Sequence, residues 1–288
     1  MVKTTPRGVR NPTRNSTLSL CTLLSSVADK MLSDPRVFRE EHLPRRLEHR
    51  DAEVQQLSRA LQPALRGEPA PDVLLSGPSG VGKTVLSRHV LRRVHERGAV
   101  PSVRIRCLGK TAGTVLREAV DALPIAAEAH RGMPVDELVR VLREGLDAPA
   151  VLVLDEGDDL PETDLLEALE RIPAVSAVAI CHDPAEWLAR LGSLDARFSG
   201  DEHLRLERYS VDELADILRE RARLGLADGT VGERVLEQVA DRAAGVARRG
   251  IQGLRCAAEV AGEQGHEAIR EPHLEPGFEV LTNTPDQL

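Results

Sequence analysis

Eight consecutive residues, Gly77-Pro-Ser-Gly-Val-Gly-Lys-Thr84, restrict the fold more than any other part of the chain. They read G-x-x-x-x-G-K-T, a pattern in which backbone N–H groups curl around phosphate oxygens, lysine reaches the outer phosphates and threonine offers a hydroxyl to Mg²⁺. The lysine is informative because the chain nearly avoids that residue: Lys3, Lys30, Lys83 and Lys110 are all it has, and arginine supplies the other positive charge. A compact ammonium on a flexible stem fits inside a curled loop, whereas a planar guanidinium has the wrong shape. Val73-Leu-Leu-Ser76 before the loop predicts a strand, and Val85-Leu-Ser-Arg-His-Val-Leu91 after it has apolar residues at helical spacing. Strand, loop and helix in that order are the setting the pattern requires. The expected phosphate-binding residues are therefore Gly77, Pro78, Ser79, Gly80, Val81, Gly82, Lys83, Thr84 and Val85.

Val151-Leu-Val-Leu-Asp-Glu156 is a second apolar strand, with two carboxylates at the end where parallel sheets bind ligands. Asp155 is expected to hold the Mg²⁺ shell with Thr84, and Glu156 to polarise the water that attacks the γ-phosphate of ATP. A nucleoside kinase needs no such glutamate, so the pair favours an ATPase.

With 288 residues and 41% hydrophobic content, the chain can bury a large core and one smaller domain. That core must be aliphatic, since Phe, Trp and Tyr make up 2% of the residues. Cys21, Cys107, Cys181 and Cys256 are scattered without a C-x-x-C pair, which argues against a zinc site or a disulfide framework and for a reducing cytoplasm. No apolar run approaches the ~20 residues of a membrane span. Charge is uneven: in residues 1–32 five basic residues face Asp29 alone, a net +4, so a total of −8 leaves −12 on the other 256. The basic, polar segment 1–33 is expected to be a disordered leader, with Met31 as a candidate start.

Beyond the loop, Ser102–Cys107, Val175–Cys181 and His203–Leu206 read as further strands, alternating with helices near Thr111–Leu123, Pro134–Leu146, Pro161–Ile172 and Pro184–Leu191. Strands separated by helices predict an α/β fold, a parallel sheet covered on both faces. From Ser210 the pattern is helical only, and Ser210-Val-Asp-Glu213 and Thr230-Val-Gly-Glu233 both fit the S/T-x-x-E capping box. The expected division is an αβα nucleotide domain at 34–208, a small all-helical lid at 209–277 and a tail at 278–288.

These residues carry a family resemblance. Over roughly Asp34–Glu275 the chain resembles the AAA+ ATPase portion of the archaeal origin-recognition and cell-division-control type replication initiators. The likeness rests on Leu43-Pro-Arg-Arg-Leu-Glu-His-Arg-Asp-Ala-Glu-Val54, on Leu61-Gln-Pro-Ala-Leu-Arg-Gly67, on the phosphate loop and on Val153-Leu-Asp-Glu-Gly-Asp-Asp-Leu160. It implies a P-loop NTPase fold with ATP and Mg²⁺ as cofactors. The first sensor, usually Asn, falls on His182; the arginine finger falls on Arg197 in Asp-Ala-Arg-Phe198; the second sensor falls on Arg248 in Gly245-Val-Ala-Arg. A solvated surface role is the alternative for all three.

The resemblance also implies a second AAA+ subunit, of the same or another chain, whose site the finger would complete. The family's winged-helix DNA reader follows the lid and does not fit in the residues after 277. Its helical insertion would offer only Arg106, Lys110 and Arg117, so weak binding to duplex DNA is expected. Two functions stay open: an ATP-dependent switch of the replication-initiator type, and a regulatory or signalling ATPase that gates a protein partner without origin binding.

Overall fold

Aliphatic runs without alternation need strands buried on both faces. In the computed structural model, which describes residues 31–160, 163–198 and 202–283, such runs become β1 (Val73–Ser76), β3 (Ala150–Asp155) and β4 (Val175–Ile180), each buried throughout. With β2 (Ser102–Arg106) and β5 (His203–Arg205) they form one parallel sheet in the order β2-β3-β4-β1-β5. α1 (Asp51–Ala60) precedes β1, and the connections between strands carry α2 (Lys83–Arg97), α3 (Ala112–Ala122), α4 (Val135–Gly145), α5 (Asp164–Glu170) and α6 (Pro184–Leu191). The leader's residues 1–30, residues 161–162 of the expected Pro161–Ile172 helix and residues 284–288 of the expected tail lie outside the described residues.

Successive side chains on a strand point to opposite faces, so alternate residues share one. Leu74, Leu152 and Leu154 therefore join Leu116, Leu138 and Leu165 in one core, while Leu75, Val151 and Val153 join Leu57, Leu86 and Val90 in the other. The result is the expected αβα layering. Trp187 is buried in the first core, its ring centroid 5.2 Å from that of Phe198.

The strand order aligns the C-terminal ends of the central strands. The register pairs Leu75 with Ile180 and Leu154 with Ala179, so the segments leaving β1, β3 and β4 emerge along a single edge. Strand limits agree with the sequence to within one residue. Cys107 and Cys181, read as strand, lie just beyond β2 and β4, although their N–H groups still bond to Asp155 O at 2.7 Å and Leu75 O at 2.9 Å.

The chain divides into two compact units whose limits depart from a linear reading. One is Leu43–Glu213 with Gly245–Arg248; the other takes residues 31–42, Leu214–Ala244 and residues 249–283. The helical unit draws on α7 (Val211–Gly225), α8 (Glu233–Ala243), α9 (Ala247–Glu263) and α10 (Leu274–Asn283). Residues 31–42 belong to it rather than to the nucleotide domain because their backbone is tied there. Arg221 Nη1 donates to Val37 O at 2.7 Å, Gln252 Nε2 donates to Phe38 O at 2.7 Å, and Ala227 N donates to Met31 O at 2.9 Å. Phe38 is fully buried against Gly225, where a Cβ would lie 2.4 Å from its ring.

Of the two expected capping boxes, the first forms: Ser210 N donates to Glu213 Oε2 at 2.8 Å and Glu213 N to Ser210 Oγ at 3.2 Å. The second does not. Gly232 is the N-cap of α8, and the buried Thr230 turns its hydroxyl to Ala227 O at 2.7 Å instead. Among the described residues no helix is long and apolar enough to cross a membrane.

Candidate functional site

The loop 77–82 leaves β1 and enters α2 at Lys83. Two glycines are sterically required. At Gly77 (φ +134°) a Cβ would lie 2.2 Å from Leu206 O, and at Gly80 (φ +75°) it would lie 2.6 Å from Val246 Cγ1. Lys83 is buried, and its Nζ donates to Gly77 O at 2.6 Å and to Pro78 O at 2.9 Å. Burial pulls this ammonium down to about 8, against the nearby carboxylates of Asp158 and Asp155, which pull upward.

One residue on, Thr84 Oγ1 donates to the Asp155 carboxylate, 3.1 Å from Oδ1 and 3.2 Å from Oδ2. The two expected metal ligands thus meet, although they are 71 residues apart in sequence. A hydroxyl and a carboxylate are hard oxygen donors of the kind Mg²⁺ prefers. Arg104 of β2 also donates to Asp155 Oδ2, at 2.9 Å, so a cation there must compete with a guanidinium.

Glu156 has φ 59° and ψ 47°, a left-handed conformation that non-glycine residues rarely adopt. Strain of this sort costs about 1–3 kcal/mol and is concentrated at working sites. Its side chain is held by a forked pair from Arg106, with Nε at 2.6 Å from Oε2 and Nη2 at 3.0 Å from Oε1. Beyond it, Asp158 Oδ2 accepts from His182 N at 2.7 Å and from Asp183 N at 3.3 Å, which fixes the chain leaving β4. The exposed His182 then lies with Nδ1 at 3.3 Å from Lys83 Nζ.

Arg248 also reaches this edge. Its N–H donates to Gly80 O at 3.1 Å, and its charge is close enough to weigh against protonation of Lys83. Lys83, Thr84, Asp155, Glu156, His182 and Arg248 are therefore gathered at one edge of the sheet.

Arg197 is placed elsewhere. Its guanidinium pairs with Asp72, with Nε at 2.5 Å from Oδ2, and Nη1 donates to Leu166 O at 2.9 Å. Asp72 precedes β1, at the end of the strand away from the phosphate loop, and is 8% exposed. The residue expected as a finger for a neighbouring site is thus turned into its own core.

The sequence alone does not single out Arg104 or Asp158, and it suggests a DNA contact for Arg106, which here pairs with Glu156. The alternation in Ser102-Val-Arg-Ile-Arg106 signals that Arg104 and Arg106 share a face, and the pairing of Arg106 with Asp155 brings that face to the acids. Nor does the sequence single out Arg50, whose guanidinium lies 4.1 Å from the centroid of the Tyr209 ring and donates to Tyr209 Oη at 2.9 Å and Glu207 O at 2.6 Å.

Comparison with known proteins bears on the fold and the family. Residues 46–181 match the AAA ATPase domain family, and residues 215–279 match the Cdc6 AAA+ ATPase-type lid domain. ORC1-type DNA replication protein 9 of Halobacterium salinarum is 34% identical over 258 residues, covering 88% of this chain and 73% of the relative. The Aeropyrum pernix ORC1 protein, solved in complex with DNA, is 30% identical with a TM-score of 0.77, over 88% of this chain and 70% of that one. The ORC2 protein of the same organism, solved in ADPNP and ADP complexes, is 25% identical with a TM-score of 0.73, over 86% and 72%. Of the two functions left open by the sequence, these relatives support the initiator over the signalling ATPase. With the ATPase domain and the lid both matched and a 34% identical relative covered over most of its length, the chain belongs to the ORC1-type DNA replication proteins, replication initiators of the AAA+ ATPase class.

Proposed function

We propose that this chain is a nucleotide-switched initiator subunit that binds ATP with Mg²⁺, touches duplex DNA and hydrolyses ATP slowly until it associates with another AAA+ subunit. The observation that carries the reading is the contact between the Thr84 hydroxyl and Asp155, beside Lys83 and next to a left-handed Glu156. A bare glycine turn would need none of these.

Mg²⁺, held by Thr84 Oγ1 and by Asp155 directly or through water, would supply charge neutralisation to the phosphates. Lys83 exchanges its two loop carbonyls for phosphate oxygens. Glu156, once its carboxylate leaves Arg106, accepts a hydrogen bond from the attacking water and turns a lone pair toward the γ-phosphorus. His182 donates to the γ-phosphate from the other side, and Arg248 responds to the same phosphate within its own subunit. The DNA and nucleotide complexes solved for the two Aeropyrum relatives support both ligands.

The low Lys83 value has a consequence for binding. Only the ammonium form pairs with phosphate, so affinity should weaken as pH rises through about 8. Nucleotide affinity is expected to be roughly tenfold lower near pH 9 than near pH 7, since each unit above that value removes a factor of ten in protonated lysine. Titration with a fluorescent nucleotide at constant ionic strength measures this; a flat profile would mean that Lys83 stays charged throughout.

Association is tested by rate. ATPase activity per molecule should rise several-fold with protein concentration or with an added AAA+ partner, because an arginine supplied in trans stabilises charge on the transferring phosphoryl group. Constant activity from the monomer range to demonstrated assembly would remove the trans contribution.

A further inference from the structure

We propose that the groove between residues 43–50 and the outer face of α2 is a contact strip for the phosphate backbone of duplex DNA, separate from the nucleotide loop. It is a cavity of about 510 Å³ that brings Arg45 and Arg46 from the segment before α1 up to Arg92 and Arg93 on α2. The carboxylates lining it are Asp51 and Glu96, and both are already engaged. Arg46 Nη2 lies 3.1 Å from Asp51 Oδ2, and Arg92 Nε lies 4.0 Å from Glu96 Oε1. Arg45 and Arg93 have no carboxylate partner among the described residues. With Glu48, 3.9 Å from Arg46 Nε, counted as well, four guanidinium groups face three carboxylates, which leaves this groove positive on a chain whose total is −8.

The groove is not an extension of the phosphate loop. Residues 92 and 93 are nine and ten positions beyond Lys83, so at 1.5 Å per residue they lie roughly 14–15 Å along the helix. The arginine fork matches phosphate oxygens. No Phe, Tyr or Trp lines the groove, and its one ring, His89, is buried with Nδ1 3.2 Å from Arg92 Nη2, so it offers no open platform on which unpaired bases could stack, and a duplex backbone fits it better than a single strand. The cations first expected to meet DNA are engaged otherwise: Arg106 with Glu156, Lys110 with Glu118 at 2.6 Å, and Arg117 with His130 O at 3.3 Å.

This inference rests on the duplex-binding reading above, and the test separates the two. Binding of the full chain to a mixed-sequence duplex is measured by anisotropy over a salt series, for the wild type, the Arg45→Ala/Arg93→Ala variant and the Lys110→Ala/Arg117→Ala variant. Two lost phosphate contacts should flatten the log–log salt slope by about two and weaken low-salt binding roughly tenfold or more. The melting temperature should not change, and Arg45→Lys/Arg93→Lys should restore most of the slope. An unchanged slope in Arg45→Ala/Arg93→Ala, or flattening only in the Lys110 and Arg117 variant, overturns the groove while leaving DNA binding intact. No duplex binding by the wild type overturns both. A variant that keeps duplex affinity but loses polyglutamate would make the groove a site for an acidic protein segment, and preference for a single strand would equally defeat the proposal.

Discussion

Replacing Lys83 by Ala is expected to abolish ATP binding, whereas Glu156→Gln should bind ATP normally and lose hydrolysis by roughly 10²–10⁴-fold, the range for removing a general base. The lysine is the one ammonium inside the loop, already stripped of much of its water and bonded to two loop carbonyls that phosphate oxygens would replace. The glutamate, by contrast, touches no part of the loop; its acceptor atoms are on Arg106. An amide keeps its size but cannot polarise water as a carboxylate does. Fluorescent-nucleotide titration and phosphate release measured on the same preparations distinguish the phenotypes. Equal loss of binding in both variants would remove Glu156 from its catalytic role.

Arg197→Ala should destabilise the nucleotide unit by about 3–5 kcal/mol, the cost of leaving a buried charge without its partner. For a unit of this size that lowers the melting temperature by on the order of 10 °C. Burial pushes the Asp72 carboxyl above its ordinary range, while the Ala177 N–H at 2.6 Å and the Arg197 guanidinium hold it down, so removing the arginine takes away a main counterweight. Replacing Asp72 by Asn in the same variant should recover part of the loss, because the unpaired charge goes too. A melting temperature within a degree or two of wild type would show the pair to be dispensable. Mixing then addresses the proposed finger: Lys83→Ala still presents Arg197, and Arg197→Lys still binds ATP. Recovery of hydrolysis in co-assembled mixtures would mean that the Asp72 pair opens on assembly, and its absence would leave Arg197 a structural residue.

What could be read from the sequence was local. The phosphate loop and the Asp155-Glu156 pair are carried by consecutive residues whose types are dictated by loop curvature and strand ends, and both fall where expected. The aliphatic runs show the layered sheet for the same reason, since period and length suffice. Contacts between strands are different. Nothing near Arg106 in sequence indicates that it faces Glu156, 50 residues away, until the strand order is known. Arg197 illustrates the converse: its neighbours suggest a role, but its partner lies 125 residues earlier. Position in the chain assigns residues 34–42 to the nucleotide domain, whereas the missing side chain of Gly225, which admits Phe38, decides where they pack.

The Trp187–Phe198 contact has a practical side. Trp187 is the single tryptophan and Tyr209 the single tyrosine, and both belong to the unit that carries the phosphate loop; the helical unit has neither. Intrinsic fluorescence therefore follows the melting of one unit, while far-ultraviolet circular dichroism sums the helices of both. Two coincident midpoints would identify a single cooperative transition, and two separated ones would give the stability of the helical unit by difference, without a label or a truncation.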